Sequence, residues 1–171
     1  MGNIPVVSLV GQSGVGKTTF LEKLVIELKA RNIRVGVIKH HLHVMDVDQP
    51  GKDTWRHAQA GADIVAISSP HRIAILENVA EDQPLEEVLA RIQGVDVIFT
   101  EGYKHGSKPK IEVFRSAVHD ELFSKLEELI AIASDISFDN GIPCFGLDDA
   151  QGLCDLIEEK YKVSKGVKIN Q

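Results

Sequence analysis

The chain has 171 residues and a formal net charge of −6. This length is typical of one domain with one buried core, so residues 1–171 are predicted to form a single domain. The acidic balance disfavours nucleic acid and anionic membranes as main partners, because both attract basic surfaces. No apolar run approaches the ~20 residues of a membrane-spanning helix, and the two cysteines match no disulfide pattern, so a cytoplasmic protein is expected.

The strongest motif follows the first predicted strand, residues 6–10. Residues 11–18 match the pattern GxxxxGK(S/T), in which a glycine-rich loop turns its N–H groups inward around phosphate and the next helix favours an anion. Lys17 is predicted to neutralise the β and γ phosphates, and the Thr18 hydroxyl to bind Mg²⁺. The predicted nucleoside triphosphate site comprises Gly11, Gln12, Ser13, Gly14, Val15, Gly16, Lys17, Thr18 and Thr19.

The middle of the chain is predicted to form a helix, a strand, a short helix and a hairpin. Apolar residues at helical spacing follow the glycine-rich loop, and residues 33–39 are typical of a strand. Residues 49–52 have the Pro-Gly pattern of a type II turn, which precedes a short helix. Residues 64–68 and 72–79 are predicted to be the two strands of a hairpin.

The second half of the chain alternates helices and strands. A helix is predicted from Pro84 to Gly94 and a last helix over residues 149–161, and residues 163–171 are predicted to be a flexible or partner-ordered tail. This order predicts a three-layer α/β fold like that of P-loop NTPases, with a mixed, mostly parallel sheet flanked by helices and a β-hairpin. The strands predicted here are residues 95–99, 110–114 and 129–133.

P-loop proteins commonly place an acidic residue that binds Mg²⁺ at the end of a strand near the phosphates, and the strand at 95–99 is the candidate here. Glu101 lies at the carboxyl end of this strand, where open α/β sheets bind ligands, and it is predicted to bind Mg²⁺ together with Thr18. Asp96 is the weaker alternative, because it lies at the other end of the strand. The groups expected to serve any catalysis are Lys17, Glu101 and Asp46.

Residues 39–48 contain three histidines and two aspartates and are interpreted as a switch loop. Asp46 or Asp48 is predicted to reach the Mg²⁺ of the nucleotide, and the sequence does not separate the two. His41 and His43 would point the same way on an extended chain, so they could bind a transition metal together with the aspartates. This interpretation is less favoured than the magnesium site. A solvated polar loop is the third interpretation.

Basic side chains concentrate in loops of this otherwise acidic chain. They are predicted to line a second anion pocket or a partner surface, with ordinary exposure as the alternative for each of them. They are Lys39, His41, His43, Arg56, His57, Arg72, Lys104, His105, Lys108 and Lys110.

Base recognition is predicted at the end of the strand at 129–133. The sequence lacks the (N/T)KxD pattern that many guanine-binding proteins use. Asp135, which follows Ser134, is the best substitute, because a carboxylate can accept hydrogen bonds from N1 and N2 of guanine and adenine offers no matching donors. A helix cap or a turn is the alternative role for these two residues.

Several motifs together resemble one family. They are the glycine-rich loop, the histidine-containing residues 39–43, PGKDT at 50–54, EGYK at 101–104 and PKIE at 109–112. This combination resembles the MobB family of molybdopterin-guanine dinucleotide biosynthesis proteins B.

The resemblance implies a GTP-binding accessory protein of molybdenum cofactor biosynthesis, with Mg²⁺ and at most slow hydrolysis of GTP. It implies a homodimer that assists a MobA-like guanylyltransferase in converting molybdopterin to molybdopterin guanine dinucleotide. The basic loops are then expected to meet a phosphorylated pterin or the guanylyltransferase.

Two other functional classes stay open at this point. A P-loop small-molecule kinase would use the same loop but usually needs an arginine-rich lid, and the sequence has no such arginine cluster. A nonenzymatic metal-binding or chaperone module would use residues 40–48 instead. Metal analysis and nucleotide turnover with candidate acceptors distinguish these classes.

Overall fold

The computed structural model describes residues 4–41 and 47–163. The predictions for His43 and Asp46 therefore lie outside the described residues, as do those for the tail beyond residue 163.

The chain divides into two compact units. One contains the residues up to His40 and from Ile92 onward, and the other is His41–Arg91. The single domain over residues 1–171 stays a prediction. In chain order the elements are β1 (Val6–Val10), α1 (Lys17–Ala30), β2 (Val35–Lys39), α2 (Asp53–Gln59), β3 (Ile64–Ser69), β4 (Arg72–Glu77), α3 (Leu85–Ala90), β5 (Val97–Glu101), β6 (Lys110–Phe114), a 3₁₀ turn (Leu126–Glu128), β7 (Leu129–Ser134), β8 (Cys144–Gly146) and α4 (Ala150–Tyr161).

Every helix and strand predicted from the sequence is present, with shifts at some ends. β2 begins at Val35 and not at residue 33, because Ile33 closes α1: its N–H donates to the Leu28 carbonyl at 3.0 Å and its side chain is buried. The strand β8 was not predicted, since it has only three residues and pairs with β7 alone. None of the helices in the described ranges is both long enough and apolar enough to cross a membrane.

The first unit contains a six-stranded sheet with the strand order β2-β5-β1-β6-β7-β8. Each neighbouring pair is parallel, so the carboxyl ends of the strands lie at one edge. Ligands bind at this edge in open α/β sheets. The loop after β1, Glu101 at the end of β5 and Ser134 at the end of β7 therefore share the edge that favours a ligand.

The core of this unit lies between the sheet and the helices α1 and α4. Leu24 and Leu28 of α1 and Leu153 and Ile157 of α4 are fully buried in one cluster with residues of the central strands. Burying each such side chain contributes about 1.5–3 kcal/mol to folding. This packing holds α1, and with it the glycine-rich loop, against the sheet.

Ion pairs and a buried valine add to the packing of α4. Arg31, just after α1, donates to the carboxylates of Asp155 and Glu158 on α4 at 2.5 Å each. Val163, which the sequence assigned to the tail, is buried in the same core cluster. The ordered packing of this unit therefore extends beyond the last residue of α4.

The second unit contains α2, the β3–β4 hairpin and α3. The predicted type II turn before α2 is confirmed, because Lys52 N donates to the Gln49 carbonyl at 3.1 Å and Gly51 has a φ of +86°. The hairpin is antiparallel, and its register pairs Ser69 with Arg72 across a two-residue turn. The predicted hairpin is therefore confirmed.

The hairpin corrects one detail of the predicted sheet. The antiparallel strands were expected to make the main sheet mixed. β3 and β4 instead form a two-stranded sheet of their own, and the paired strands of the six-stranded sheet are parallel throughout the described residues. The two-residue turn pairs β3 with β4 from Ser69 and Arg72 to Ile64 and Glu77, so the hairpin forms without a strand of the large sheet as a partner.

Candidate functional site

The glycine-rich loop, residues 11–18, curls in front of the N-terminus of α1. Gly11, Gly14 and Gly16 have φ values of +133°, +84° and +93°, which glycine adopts far more easily than other residues. A Cβ at Gly11 would lie 2.3 Å from the carbonyl oxygen of Val113 on β6, so a side chain is excluded there. The first N–H groups of a helix have no partner within it, so the start of α1, directly after this loop, suits an anion.

Lys17 lies over the loop that precedes it. Its ammonium group donates to the carbonyl oxygen of Gln12 at 2.7 Å. Burial and the positive charge of Lys104 lower the pKa of Lys17, and Glu101 opposes this shift. Lys39 lowers this pKa further. An anion bound among these ammonium groups would offset their mutual repulsion.

Thr18 and Glu101 meet at the start of α1. The Thr18 hydroxyl donates to Glu101 Oε1 at 3.1 Å, and Oε2 lies 3.4 Å away. Lys39 Nζ lies 3.7 Å from Glu101 Oε1, and the Glu101 side chain is only 13% exposed. A hydroxyl and a carboxylate are oxygen ligands of the kind that Mg²⁺ prefers, so these residues fit the predicted metal.

Asp96, the alternative acidic residue, lies before the amino end of β5. Its Oδ1 accepts from the Arg34 guanidinium at 2.7 Å, and its Oδ2 accepts from the Arg34 backbone at 2.7 Å. These hydrogen bonds hold the pKa of the Asp96 carboxyl below its usual range. Asp96 therefore has a structural partner at the edge opposite to the glycine-rich loop.

Close contacts between the ends of β2 and β5 fix the direction of Glu101. His40 N donates to the Glu101 carbonyl at 2.8 Å, and the rings of His40 and Tyr103 stack with centroids 4.3 Å apart. Gly102 has a φ of +111°, and a Cβ there would lie 2.4 Å from the His40 carbonyl oxygen. Glycine at position 102 is therefore required for the backbone after β5 to lie this close to the His40 carbonyl oxygen.

Ser134 and Asp135 line a cavity of about 660 Å³ at the carboxyl ends of β7 and β8. This volume is within the range of small-molecule sites. Asp135 accepts from the backbone N–H of Ser116 at 2.8 Å and from its hydroxyl at 3.0 Å, and these hydrogen bonds hold the pKa of the Asp135 carboxyl below its usual range. The other residues of the cavity are Lys23, Arg115, Gly146, Leu147, Asp148 and Asp149.

Arg115 and Lys23 in this cavity were not predicted from the sequence. Arg115 follows β6 directly, so its place at a strand end was a signal that could have identified it. Lys23 donates to the Leu147 carbonyl at 3.0 Å and to Asp148 Oδ1 at 2.5 Å. Its position on α1 carries no sequence signal, because the contact depends on a loop more than 120 residues later.

Some of the predicted basic residues come together in the first unit. Lys39 Nζ lies 3.7 Å from Glu101 Oε1, which accepts from Thr18 at the start of α1, and burial and the charge of Lys104 lower the pKa of Lys17. Lys104 Nζ also lies 5.3 Å from the centroid of the Phe123 ring, and the His105 ring lies 6.1 Å from it. Lys39, Lys104, His105 and Phe123 are hereafter called the basic rim.

Lys110 is not part of an anion pocket, and the prediction for it is wrong. Its side chain is 3% exposed, and its ammonium group donates to Glu128 Oε2 at 2.8 Å. Lys110 begins β6 and therefore lies at the amino end of the strand, away from the glycine-rich loop. Lys108, a few residues earlier in this segment, is half-buried.

The other predicted residues belong to the second unit. His41, Arg56, His57 and Arg72 are exposed. Asp48 Oδ1 accepts from the backbone N–H of Gln49 at 2.8 Å. Within residues 4–41 and 47–163, no group of three His, Cys, Asp or Glu side chains could hold a metal ion, and the roles proposed for residues 40–48 stay predictions.

Comparisons with known proteins identify the family. The family model for MobB, molybdopterin guanine dinucleotide synthesis protein B, matches residues 6–135. A molybdopterin-guanine dinucleotide biosynthesis adapter protein of Escherichia coli strain K12 is 36% identical over 95% of this chain and 97% of its own length. The adapter protein of Haemophilus influenzae is 35% identical over 91% of this chain and 88% of its own length.

Solved structures agree with this result. The crystal structure of Bacillus subtilis MobB has a TM-score of 0.72 and 26% identity, and the match covers 91% of this chain and 97% of that chain. A second crystal structure, of a molybdopterin-guanine biosynthesis protein B, has a TM-score of 0.69 and 26% identity, with 91% and 99% of the two chains covered. The predicted P-loop NTPase-like fold class is confirmed. Because the family model covers most of the chain and the relatives match nearly its whole length, this chain belongs to the MobB family.

Proposed function

We propose that this chain is a GTP-binding adapter in the biosynthesis of molybdopterin guanine dinucleotide. The adapter role is supported by similarity to two adapter proteins along nearly their whole length. The nucleotide site is supported above all by one observation, the meeting of Lys17, Thr18 and Glu101 at the glycine-rich loop.

The triphosphate would bind in the curl of the glycine-rich loop. Backbone N–H groups at the start of α1 and the ammonium group of Lys17 would hold the β and γ phosphates. Thr18 and Glu101 would hold Mg²⁺, which neutralises phosphate charge when bound. We expect any hydrolysis of GTP to be slow and dependent on Mg²⁺.

The base would enter the cavity beside Ser134 and Asp135. Each Asp135 oxygen accepts one hydrogen bond from Ser116 and keeps capacity for another. The two oxygens can therefore accept from N1 and N2 of guanine while they hold the Ser116 loop. Adenine presents no matching pair of donors, which is the physical reason to expect GTP to bind more tightly than ATP.

A nucleotide titration tests this proposal. GTP is expected to compete better than ATP, and chelation of Mg²⁺ is expected to weaken GTP binding. Glu101→Gln is expected to remove most of this Mg²⁺ effect, because a neutral amide is a weaker ligand than a carboxylate. Asp96→Asn is the matched control at the other end of β5 and is expected to keep the Mg²⁺ effect. Equal affinities for GTP and ATP, or an unchanged Mg²⁺ effect in Glu101→Gln, would contradict the proposal.

The basic rim is proposed to serve a second ligand. Lys104 Nζ lies 5.3 Å from the centroid of the Phe123 ring, which is 37% exposed, so the rim offers both a cation and a planar surface. Such a surface suits the phosphate and the ring of a pterin, or an acidic surface of a MobA-like guanylyltransferase.

Lys104→Gln tests the role of the basic rim. We expect this variant to reduce stimulation of guanine dinucleotide formation by the guanylyltransferase, while GTP affinity changes no more than the few-fold typical of a partly exposed charge. The exposed Lys125, which lies before β7, provides the matched control Lys125→Gln. Normal stimulation by Lys104→Gln, or a loss equal to that in Lys125→Gln, would contradict this role.

A homodimer is also proposed. Ile64, Ile73 and Ile75 lie on one face of the β3–β4 hairpin by its register, and their exposed fractions are 57%, 68% and 65%. Contiguous exposed apolar side chains are typical of protein interfaces. Sedimentation equilibrium of the intact chain measures the stoichiometry, and a monomer would rule out this part of the proposal.

A further inference from the structure

Arg115 lies between the glycine-rich loop and the cavity beside β7. Its Nε donates to the carbonyl oxygen of Val15 at 3.5 Å, and a Cβ built on Gly16 would lie 3.7 Å from its Nη2. The same side chain lines the cavity together with Ser134 and Asp135. The guanidinium group therefore borders both parts of the proposed GTP site.

The backbone of Arg115 is held from several sides. β6 ends at Phe114, directly before it. The next residue, Ser116, donates twice to Asp135 at the end of β7. The Arg115 carbonyl accepts from the N–H groups of Val118 and His119 at 3.0 and 3.2 Å. The side chain thus starts from a fixed point, which lowers the entropic cost of using it to bind a ligand.

The guanidinium group of Arg115 keeps donors for a ligand. Among the residues that the structure describes, its two terminal nitrogens make no hydrogen bond, and the Nε contact with Val15 is long. Lys23, the other cation of the cavity, is instead occupied by Leu147 and Asp148. Guanidinium donors match the oxygens of a phosphate in geometry and charge.

We propose that Arg115 binds the α-phosphate of the nucleotide. This inference rests on the proposed GTP site. In that site the loop and Lys17 hold the β and γ phosphates and the cavity holds the base, so the ribose and the α-phosphate must pass between them. Arg115 occupies that border. Lys17 then distinguishes a triphosphate from a monophosphate, and Arg115 distinguishes a monophosphate from a nucleoside.

The division of phosphate recognition between Lys17 and Arg115 is tested by measuring how tightly guanosine, GMP, GDP and GTP bind to the intact chain and its variants. In the unaltered chain GMP is expected to bind more tightly than guanosine. Arg115→Ala is expected to reduce that advantage by about tenfold or more, as for a charge-assisted hydrogen bond, with guanosine affinity unchanged. Arg115→Lys is expected to keep part of the advantage. Lys17→Ala is expected to weaken GTP binding and leave the ratio of GMP to guanosine affinity intact.

Two results would overturn this inference and leave the GTP site standing. One is GTP binding by an unaltered chain that does not distinguish GMP from guanosine. The other is an undiminished GMP advantage in Arg115→Ala. Absence of GTP binding by the unaltered chain would instead overturn the proposed nucleotide site, and the role of Arg115 with it. Circular dichroism of both Arg115 variants verifies their folding, which the exposed position of this side chain favours.

Discussion

Replacing Lys17 with alanine is expected to weaken GTP binding by about tenfold to a hundredfold while the chain stays folded. The lost ammonium group is the one that lies over the loop, where its Nζ contacts the Gln12 carbonyl. A hydrogen bond to a charged group contributes about 1.5–3 kcal/mol, which corresponds to that range of affinity. Isothermal titration calorimetry measures the change directly.

The control for Lys17→Ala is another lysine of the same helix. Lys29 is exposed in the last turn of α1, so Lys29→Ala removes the same charge at the far end of the helix. We expect this control to bind GTP like the unaltered chain. Equal GTP affinity in a folded Lys17→Ala protein would refute the assignment of the glycine-rich loop as the triphosphate site.

Gly102→Ala is expected to lower the free energy of unfolding by at least about 2 kcal/mol. A non-glycine residue held at a strained φ costs about 1–3 kcal/mol, and the new Cβ would also press on the His40 carbonyl oxygen 2.4 Å away. The backbone must shift to relieve this contact. Because Glu101 precedes the glycine, its carboxylate would move relative to Thr18, and the Mg²⁺ dependence of GTP binding should fall as well.

Gly106→Ala provides the matched control in the same loop. A Cβ at Gly106 would approach the Tyr103 carbonyl oxygen to 3.4 Å, which is an ordinary contact. Chemical denaturation of both variants measures their stabilities. If Gly102→Ala were as stable as Gly106→Ala and kept the full Mg²⁺ effect, the close approach of β2 and β5 would not control the position of Glu101.

Local features of the fold were accessible from the sequence. The pattern at residues 11–18 predicted the loop between β1 and α1, and Pro50 with Gly51 predicted the type II turn. Asp149 caps α4 by accepting from Gly152 N at 2.9 Å, close to the predicted start of that helix. These features depend on residues a few positions apart, so φ preferences, capping and apolar spacing are sufficient to predict them.

The convergence of Thr18 and Glu101 was also predicted, although 83 residues separate them. Parallel strands place their carboxyl ends at one edge, so two residues that each follow a strand can be assigned to that edge without knowledge of side-chain contacts. The same rule put Ser134 there. The sequence thus determined which ends of the elements carry the candidate site.

The partner of each side chain was decided only by the tertiary structure. The Lys110 ammonium is buried against Glu128, Asp135 holds Ser116, and Arg115 borders the glycine-rich loop. The tertiary structure also decided that the hairpin forms a sheet of its own and that β8 pairs with β7. The physical reason is that burial and ion pairing depend on the distance between side chains of different elements, and the spacing along one segment carries no information about that distance.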